Sequence, residues 1–320
     1  MRDIILDFPK QFKEGLDKAK DVTIEGEFGN IIICGMGGSA LPANLLITYL
    51  PRLNLPIWIH RSYGLPPQAN QKSLIICISF SGNTEETISA FKEAQKRNLK
   101  TAAITTGGKL GQLAQEGNLP LVSLPSVRIQ PRWGSGYMFS SLVKILSNSG
   151  VVDDKSQEIL EMAKNLKPAN FESSGQNLAK KLVDKIPLIY SSSRLKALAR
   201  IWKIKFNENS KIMAFWNYFP EFNHNELVGI TNLQGKFHTL ILRDKEDHPK
   251  ILKRMTLTAN LMREKEIEVD FVEIEGRTIL EKIFNNLILS DWTSYYLAKE
   301  YKVDPEKVEL IEKLKREMKE

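Results

Sequence analysis

Asn30-Ile31-Ile32-Ile33-Cys34-Gly35-Met36-Gly37-Gly38-Ser39 opens with a β-branched apolar run, the pattern of a buried strand. It then becomes glycine-rich and leads into Ala40-Leu41-Pro42-Ala43-Asn44-Leu45-Leu46, which reads as the first turns of a helix. Strand, tight turn and helix in this order make an anion site. Glycines let the backbone approach a ligand, and the free N–H groups of the helix start point at it. A dinucleotide fingerprint is one rival reading, but Gly35-Met36-Gly37-Gly38 lacks its third glycine at the required offset. A serine closing the turn suits a phosphate monoester, whose oxygens accept from hydroxyls. A plain βα connection would use the same residues.

A second stretch, Ser79-Phe80-Ser81-Gly82-Asn83-Thr84-Glu85-Glu86-Thr87, follows the apolar run Leu74-Ile75-Ile76-Cys77-Ile78. It leads into a helical pattern with Ile88, Phe91 and Ala94 on one face. Asn83 or Thr84 as a simple helix cap is the bland alternative. Two hydroxyl-rich turns at the carboxyl ends of two strands in one open sheet would converge on one crevice. Ser39, Ser79, Ser81 and Thr84 would then surround one phosphate, with the backbone of Gly37 and Gly38 beside it.

These two stretches together resemble the sugar isomerase (SIS) fold of phosphosugar-binding proteins. Pro131-Arg132, Asn207-Glu208 and Pro220-Glu221-Phe222-Asn223-His224-Asn225-Glu226 further resemble the bifunctional phosphoglucose/phosphomannose isomerases. The resemblance runs from about Ile31 to Lys299. The serine/threonine loop is shared by many SIS proteins, and the P-E-x-x-H-N-E segment is specific to this branch. It implies a metal-independent, cofactor-free aldose–ketose isomerase acting on glucose 6-phosphate, fructose 6-phosphate and mannose 6-phosphate. Rivals are an SIS enzyme acting on an amino sugar and a non-catalytic phosphosugar sensor. No glutamine-hydrolysing domain or helix-turn-helix module is apparent in the sequence.

The chain has 320 residues, 42% hydrophobic and 26% charged, with a formal charge of +7. That length suits two domains with separate cores. The basic residues are scattered, so no nucleic-acid partner is expected. A modest positive field helps collect a phosphorylated sugar. The longest apolar runs are strand-sized and no membrane span is expected. The first residues carry acids within their apolar stretch, so no secretory signal is expected. Cys34 and Cys77 are the only cysteines. They read as free core thiols of a cytoplasmic protein, and no metal spacing is present.

Strands are expected over 31–34, 56–60, 73–79, 100–105 and 119–124, with helices over 40–50, 85–97 and 110–115. This alternation implies a doubly wound parallel sheet with helices on both faces. A second alternation follows, with strands over 186–190, 211–216, 237–242 and 268–272. A helix covers 280–301, and Val308, Ile311, Leu314 and Met318 mark a closing amphipathic one. The expected fold is therefore α/β, two flavodoxin-like sheets, with domains at 1–152 and 153–320. In the second half the turn after the first strand is Ser191-Ser192-Ser193-Arg194. It lacks glycines, so the phosphate site is expected in the first half alone.

Moving a proton between C1 and C2 of an open-chain sugar needs a base and a cation for the enediolate. By resemblance Glu208 is that base, Arg132 stabilises the enediolate, and His224 opens the ring. Lys299 resembles a C-terminal lysine that assists ring opening, and Thr293 a threonine associated with admitting mannose. The resemblance also implies a homodimer in which His224 is donated across the interface. His238 and His248 read as structural or surface residues.

Overall fold

The computed structural model describes residues 1–318. They divide into two units, Leu6–Leu166 and the residues from Lys167 onward together with Met1–Ile5.

In the first unit five strands form one parallel sheet: β1 (Asn30–Cys34), β2 (Ile57–His60), β3 (Ser73–Ile78), β4 (Lys100–Thr105) and β5 (Leu121–Ser123). Their order is β2-β1-β3-β4-β5. β1 and β3 lie inside the sheet and are buried along their whole length, which explains why their sequences are continuous apolar runs. Each of Ile31, Ile32 and Ile33 is fully buried, contributing roughly 1.5–3 kcal/mol by transfer from water. Strand order reverses direction between β1 and β3, so the crevice outside their carboxyl ends is the ligand position of such a sheet.

The helix Ser156–Asn165 belongs to this unit. The Tyr49 hydroxyl donates to Glu158 at 2.8 Å, and Ile159 and Met162 are buried. These contacts carry the division past the expected boundary near 152 to Leu166.

The second unit holds β6 (Ile186–Ser192), β7 (Phe215–Phe219), β8 (Phe237–Arg243) and β9 (Glu268–Glu273), parallel and in the order β7-β6-β8-β9. This repeats the connectivity of β1 to β4. The strand expected over 211–216 begins later. Lys211 is left-handed with φ 59°, and Asn207 Nδ2 donates to the Ile212 carbonyl at 2.7 Å. Those contacts keep the chain in a turn until Phe215 pairs with Leu188. The expected long helix is Ile279–Glu300, capped by Thr278 Oγ1, which accepts from Glu281 N. The closing helix is Glu309–Glu317, and none of its residues is buried. His238 lies in β8 with Nε2 2.8 Å from Asp270, and His248 caps the helix Pro249–Arg263, so both serve structure. Among the described residues no helix is long and apolar enough to cross a membrane.

Candidate active site

The loops leaving β1 and β3 are built as one piece. Ser39 Oγ is buried and accepts from Phe80 N at 3.0 Å. Ser79 and Thr84 share a hydroxyl–hydroxyl hydrogen bond of 2.9 Å. Thr84 makes no side-chain cap to the helix Glu85–Lys96, and the Asn83 side chain donates to the Ser81 carbonyl. Neither residue therefore acts as the plain cap considered above. Ser81 is exposed at the lip and Thr84 is half-buried. Gly38 is required by close packing: a Cβ there would sit 2.5 Å from Arg132 N. Gly82 has φ +70°, and its Cβ would sit 1.7 Å from the Gly107 carbonyl oxygen.

Arg132 belongs to the short 3-10 turn Pro131–Trp133 that packs against Gly38. Its guanidinium lies over the Trp133 ring, 4.4 Å from the centroid, and the residue is buried. Gln11 fixes this turn, donating to the Trp133 carbonyl at 2.8 Å and accepting from Gly136 N at 3.1 Å. A delocalised guanidinium of this kind suits planar recognition of an anionic group. Gly37, Gly38, Ser39, Ser79, Ser81, Thr84 and Arg132 are thus brought together where β1 and β3 end.

The sequence reading missed a third loop, Thr105-Thr106-Gly107-Gly108-Lys109, after β4. Thr106 N and Oγ1 both donate to the Phe80 carbonyl, at 3.0 and 2.7 Å. Lys109 N donates to Asn83 Oδ1 at 3.1 Å. This loop supports the Ser79–Thr84 turn from behind. Its signal was a threonine pair and a glycine pair at a strand end.

In the second unit the corresponding crevice is filled by internal ion pairs. Arg194 and Lys282 meet the buried Asp244 at 2.6 and 3.0 Å, and Arg194 also pairs with Asp247 at 3.1 Å. Glu208 lies elsewhere in that unit. The helix Lys196–Lys205 continues into a π-helical turn, Phe206–Ser210. The extra residue in such a turn re-aims the side chains beyond it. Both sides of Glu208 are pinned to the helix Ile279–Glu300. Lys205 Nζ meets Asp291 at 2.6 Å inside the core, Asn209 Nδ2 donates to Ser294 Oγ at 2.9 Å, and Ser210 Oγ donates to the Ser294 carbonyl at 2.8 Å. Glu208 itself is half-buried and lines a cleft of about 650 Å³ with Lys211, Met213, Asp304, Lys307 and Leu310.

Thr293 and Lys299 do not line this cleft. Thr293 faces inward on its helix, fully buried, and donates to the Leu289 carbonyl at 2.8 Å. Lys299 is exposed, its ammonium 5.6 and 5.4 Å from the ring centroids of Tyr295 and Tyr296. The lysines lining the cleft are Lys211 and Lys307. His224 ends the 3-10 turn Glu221–His224 beyond β7 and is exposed. Helix Lys196–Lys205 is the crossover between parallel β6 and β7, so Glu208 precedes the start of β7 and His224 follows its end. A five-residue strand is roughly 16 Å long at about 3.3 Å per residue, and it separates the two side chains within one chain.

A profile of the bacterial phospho-glucose isomerase C-terminal SIS domain matches residues 171–318. A bifunctional phosphoglucose/phosphomannose isomerase of Caldicellulosiruptor bescii is 34% identical over 99% of this chain and 98% of its own length. The chain belongs to this isomerase family. Another bifunctional isomerase, from Aquifex aeolicus, is 35% identical over 99% of this chain and 97% of its own. A D-glucosamine-6-phosphate 4-epimerase of Sulfolobus acidocaldarius is 30% identical over 88% of this chain and 86% of its own. The C-terminal domain of glucosamine-fructose-6-phosphate aminotransferase from Francisella tularensis superposes with a TM-score of 0.74 at 13% identity, covering 95% of this chain and 97% of that one. At that identity the likeness establishes the fold.

If the crevice in the first unit holds phosphate, the double variant Ser39→Ala, Ser81→Ala should raise KM at least about tenfold. Each hydrogen bond to a charged group contributes roughly 1.5–3 kcal/mol. Inhibition by a sugar-phosphate analogue should weaken in parallel. Unchanged inhibition would place the phosphate elsewhere.

Proposed function

We propose that the chain interconverts glucose 6-phosphate, and also mannose 6-phosphate, with fructose 6-phosphate. What carries this reading is the gathering of hydroxyl-bearing, glycine-rich loops at the carboxyl ends of β1 and β3, with the Arg132 turn packed against Gly38. That site suits a phosphate ester, and the family's curated members are named for phosphoglucose and phosphomannose. Glu208 is the base that carries the proton between C1 and C2, through a cis-enediolate. Arg132 offsets the enediolate charge. His224 opens the ring. Lys299 assists ring opening, as the resemblance implies, and Lys307 shares the Glu208 cleft. The phosphate residues belong to the first unit and Glu208 to the second. No metal or cofactor enters the proposal. The working form is a homodimer with His224 supplied by the partner, and the free buried thiols Cys34 and Cys77 suit a reducing cytoplasm.

Glucose 6-phosphate and mannose 6-phosphate differ at C2 and share one enediol, so one base can serve both. Fructose 6-phosphate incubated with the enzyme in deuterated water should yield both aldoses carrying deuterium at C2, observed by NMR. Formation of glucose 6-phosphate alone would remove the mannose activity, and formation of neither aldose would overturn the isomerase reading. A second reading, action on an amino-sugar phosphate, is favoured by the epimerase relative. Conversion of glucosamine 6-phosphate in the same assay, without labelled hexose phosphates, would select it.

A further inference from the structure

His224 is exposed, yet its sequence neighbours are tied inward. Phe222 is fully buried, its ring centroid 4.3 Å from Tyr190 and 5.6 Å from Phe219. Asn223 Nδ2 donates to Thr258 Oγ1 at 2.9 Å. Asn225 Nδ2 donates to Glu221 Oε1 at 2.8 Å, and Asn225 Oδ1 accepts from Glu226 N. Glu226 makes the strongest of these ties. Its Oε1 accepts from the Tyr190 hydroxyl at 2.6 Å, and its Oε2 accepts from Asn217 Nδ2, also at 2.6 Å. Tyr190 on β6 and Asn217 on β7 are direct register partners. One carboxylate is therefore gripped at both oxygens by donors from two adjacent strands. Burial and the neighbouring carboxylate push the Tyr190 pKa up, so its hydroxyl stays a donor.

We propose that Glu226 is a positioning residue for His224, locking the loop after β7 that carries the imidazole; this rests on the role given to His224 above. Charge-assisted hydrogen bonds are short and roughly twice as strong as neutral ones. An exposed loop without such a clamp samples many conformations. A histidine that acts on a ring oxygen must be held within a fraction of an ångström of its productive place. Glu226 meets Tyr190 and Asn217 and holds the backbone two residues beyond His224. Its effect belongs to turnover, while phosphate binding depends on other residues.

The test uses the full chain and compares His224→Ala, Glu226→Ala, Glu226→Gln, Tyr190→Phe and the double variant His224→Ala, Glu226→Ala. Misplacing a reacting group by about 1 Å costs up to about a hundredfold. Glu226→Ala and Tyr190→Phe should lower kcat between about tenfold and a hundredfold with KM within about twofold of wild type. Tyr190→Phe keeps the ring and its packing, so it reports on the clamp even where Glu226→Ala folds poorly. Glu226→Gln should recover most of the turnover, because its amide oxygen can accept from Asn217 and its NH₂ can donate to the Tyr190 oxygen. In the His224→Ala background, removing Glu226 should cost no further turnover. A clamp that serves only stability would lower the melting temperature and leave kcat in place. Full turnover in both Glu226→Ala and Tyr190→Phe, with His224→Ala inactive, would overturn the positioning role alone. Full turnover in His224→Ala would overturn the assignment of His224, and this inference with it. An equal further loss in the double variant would also overturn it.

Discussion

Glu208→Gln should lower turnover at least about a hundredfold while substrate binding stays close to wild type. Glutamine keeps the shape and loses the basicity, so the loss reports proton transfer rather than packing. The turn that carries Glu208 is anchored through its neighbours. Its anchors are Lys205 to Asp291, Asn209 to Ser294 Oγ and Ser210 to the Ser294 carbonyl, and none of them uses the Glu208 carboxylate. The melting temperature is measured alongside, to separate loss of chemistry from loss of fold. Binding is read from the inhibition constant of an unreactive sugar phosphate, and chemistry from kcat and from deuterium uptake at C2. Both kinetic readouts should fall together, because one base performs exchange and isomerisation. Near-normal turnover in this variant would remove Glu208 from the mechanism, and loss of inhibitor binding would make its role one of ligand contact.

The first unit was largely legible because its signals are local. An unbroken Ile-Ile-Ile run has few uses other than a strand buried on both faces, and a hydroxyl-rich glycine turn after it has few other than an anion crevice. The loop at 105–109 went unread because its contribution comes through bonds to Phe80 and Asn83, distant in sequence. The setting of Glu208 was not legible for the same reason. A π-helical turn costs hydrogen-bond geometry, and here the compensating bonds come from Ser294. The start of β7 was misplaced because Ile212, Ala214 and Trp216 alternate like a strand. Lys211 in the left-handed region and the Asn207–Ile212 bond hold the chain in a turn instead. Thr293 sits beside serine and aspartate and reads as polar, but helical spacing turns it into the core, where its hydroxyl is satisfied by Leu289. Lys307 lies between a turn and the closing helix, and nothing local marks it as sharing a cleft with Glu208.

Mixing two inactive variants, Glu208→Gln and His224→Ala, should restore activity. Within one chain β7 separates Glu208 from His224 by roughly the 16 Å length of a five-residue strand. The clamp on Glu226 and the burial of Phe222 fix the His224 loop at the far end. Bringing that histidine to the Glu208 of its own chain would require breaking those contacts. A second copy meets no such obstacle, because an exposed His224 can enter a neighbour's site without rearrangement. A two-fold pair is self-complementary, so a histidine donated one way is returned the other and two shared sites result. After dissociation and reassociation in equal amounts, about half of the dimers are mixed. Each mixed dimer then has one site with both residues intact and one with neither, so roughly a quarter of wild-type activity should return by this symmetry. The recovered rate should rise with the mixed fraction, measured by native mass spectrometry on chains of different isotopic mass. If each chain completes its own site, no mixed dimer holds an intact pair. Activity that stays at the level of the separate variants, with exchange of subunits confirmed, would rule out the shared site.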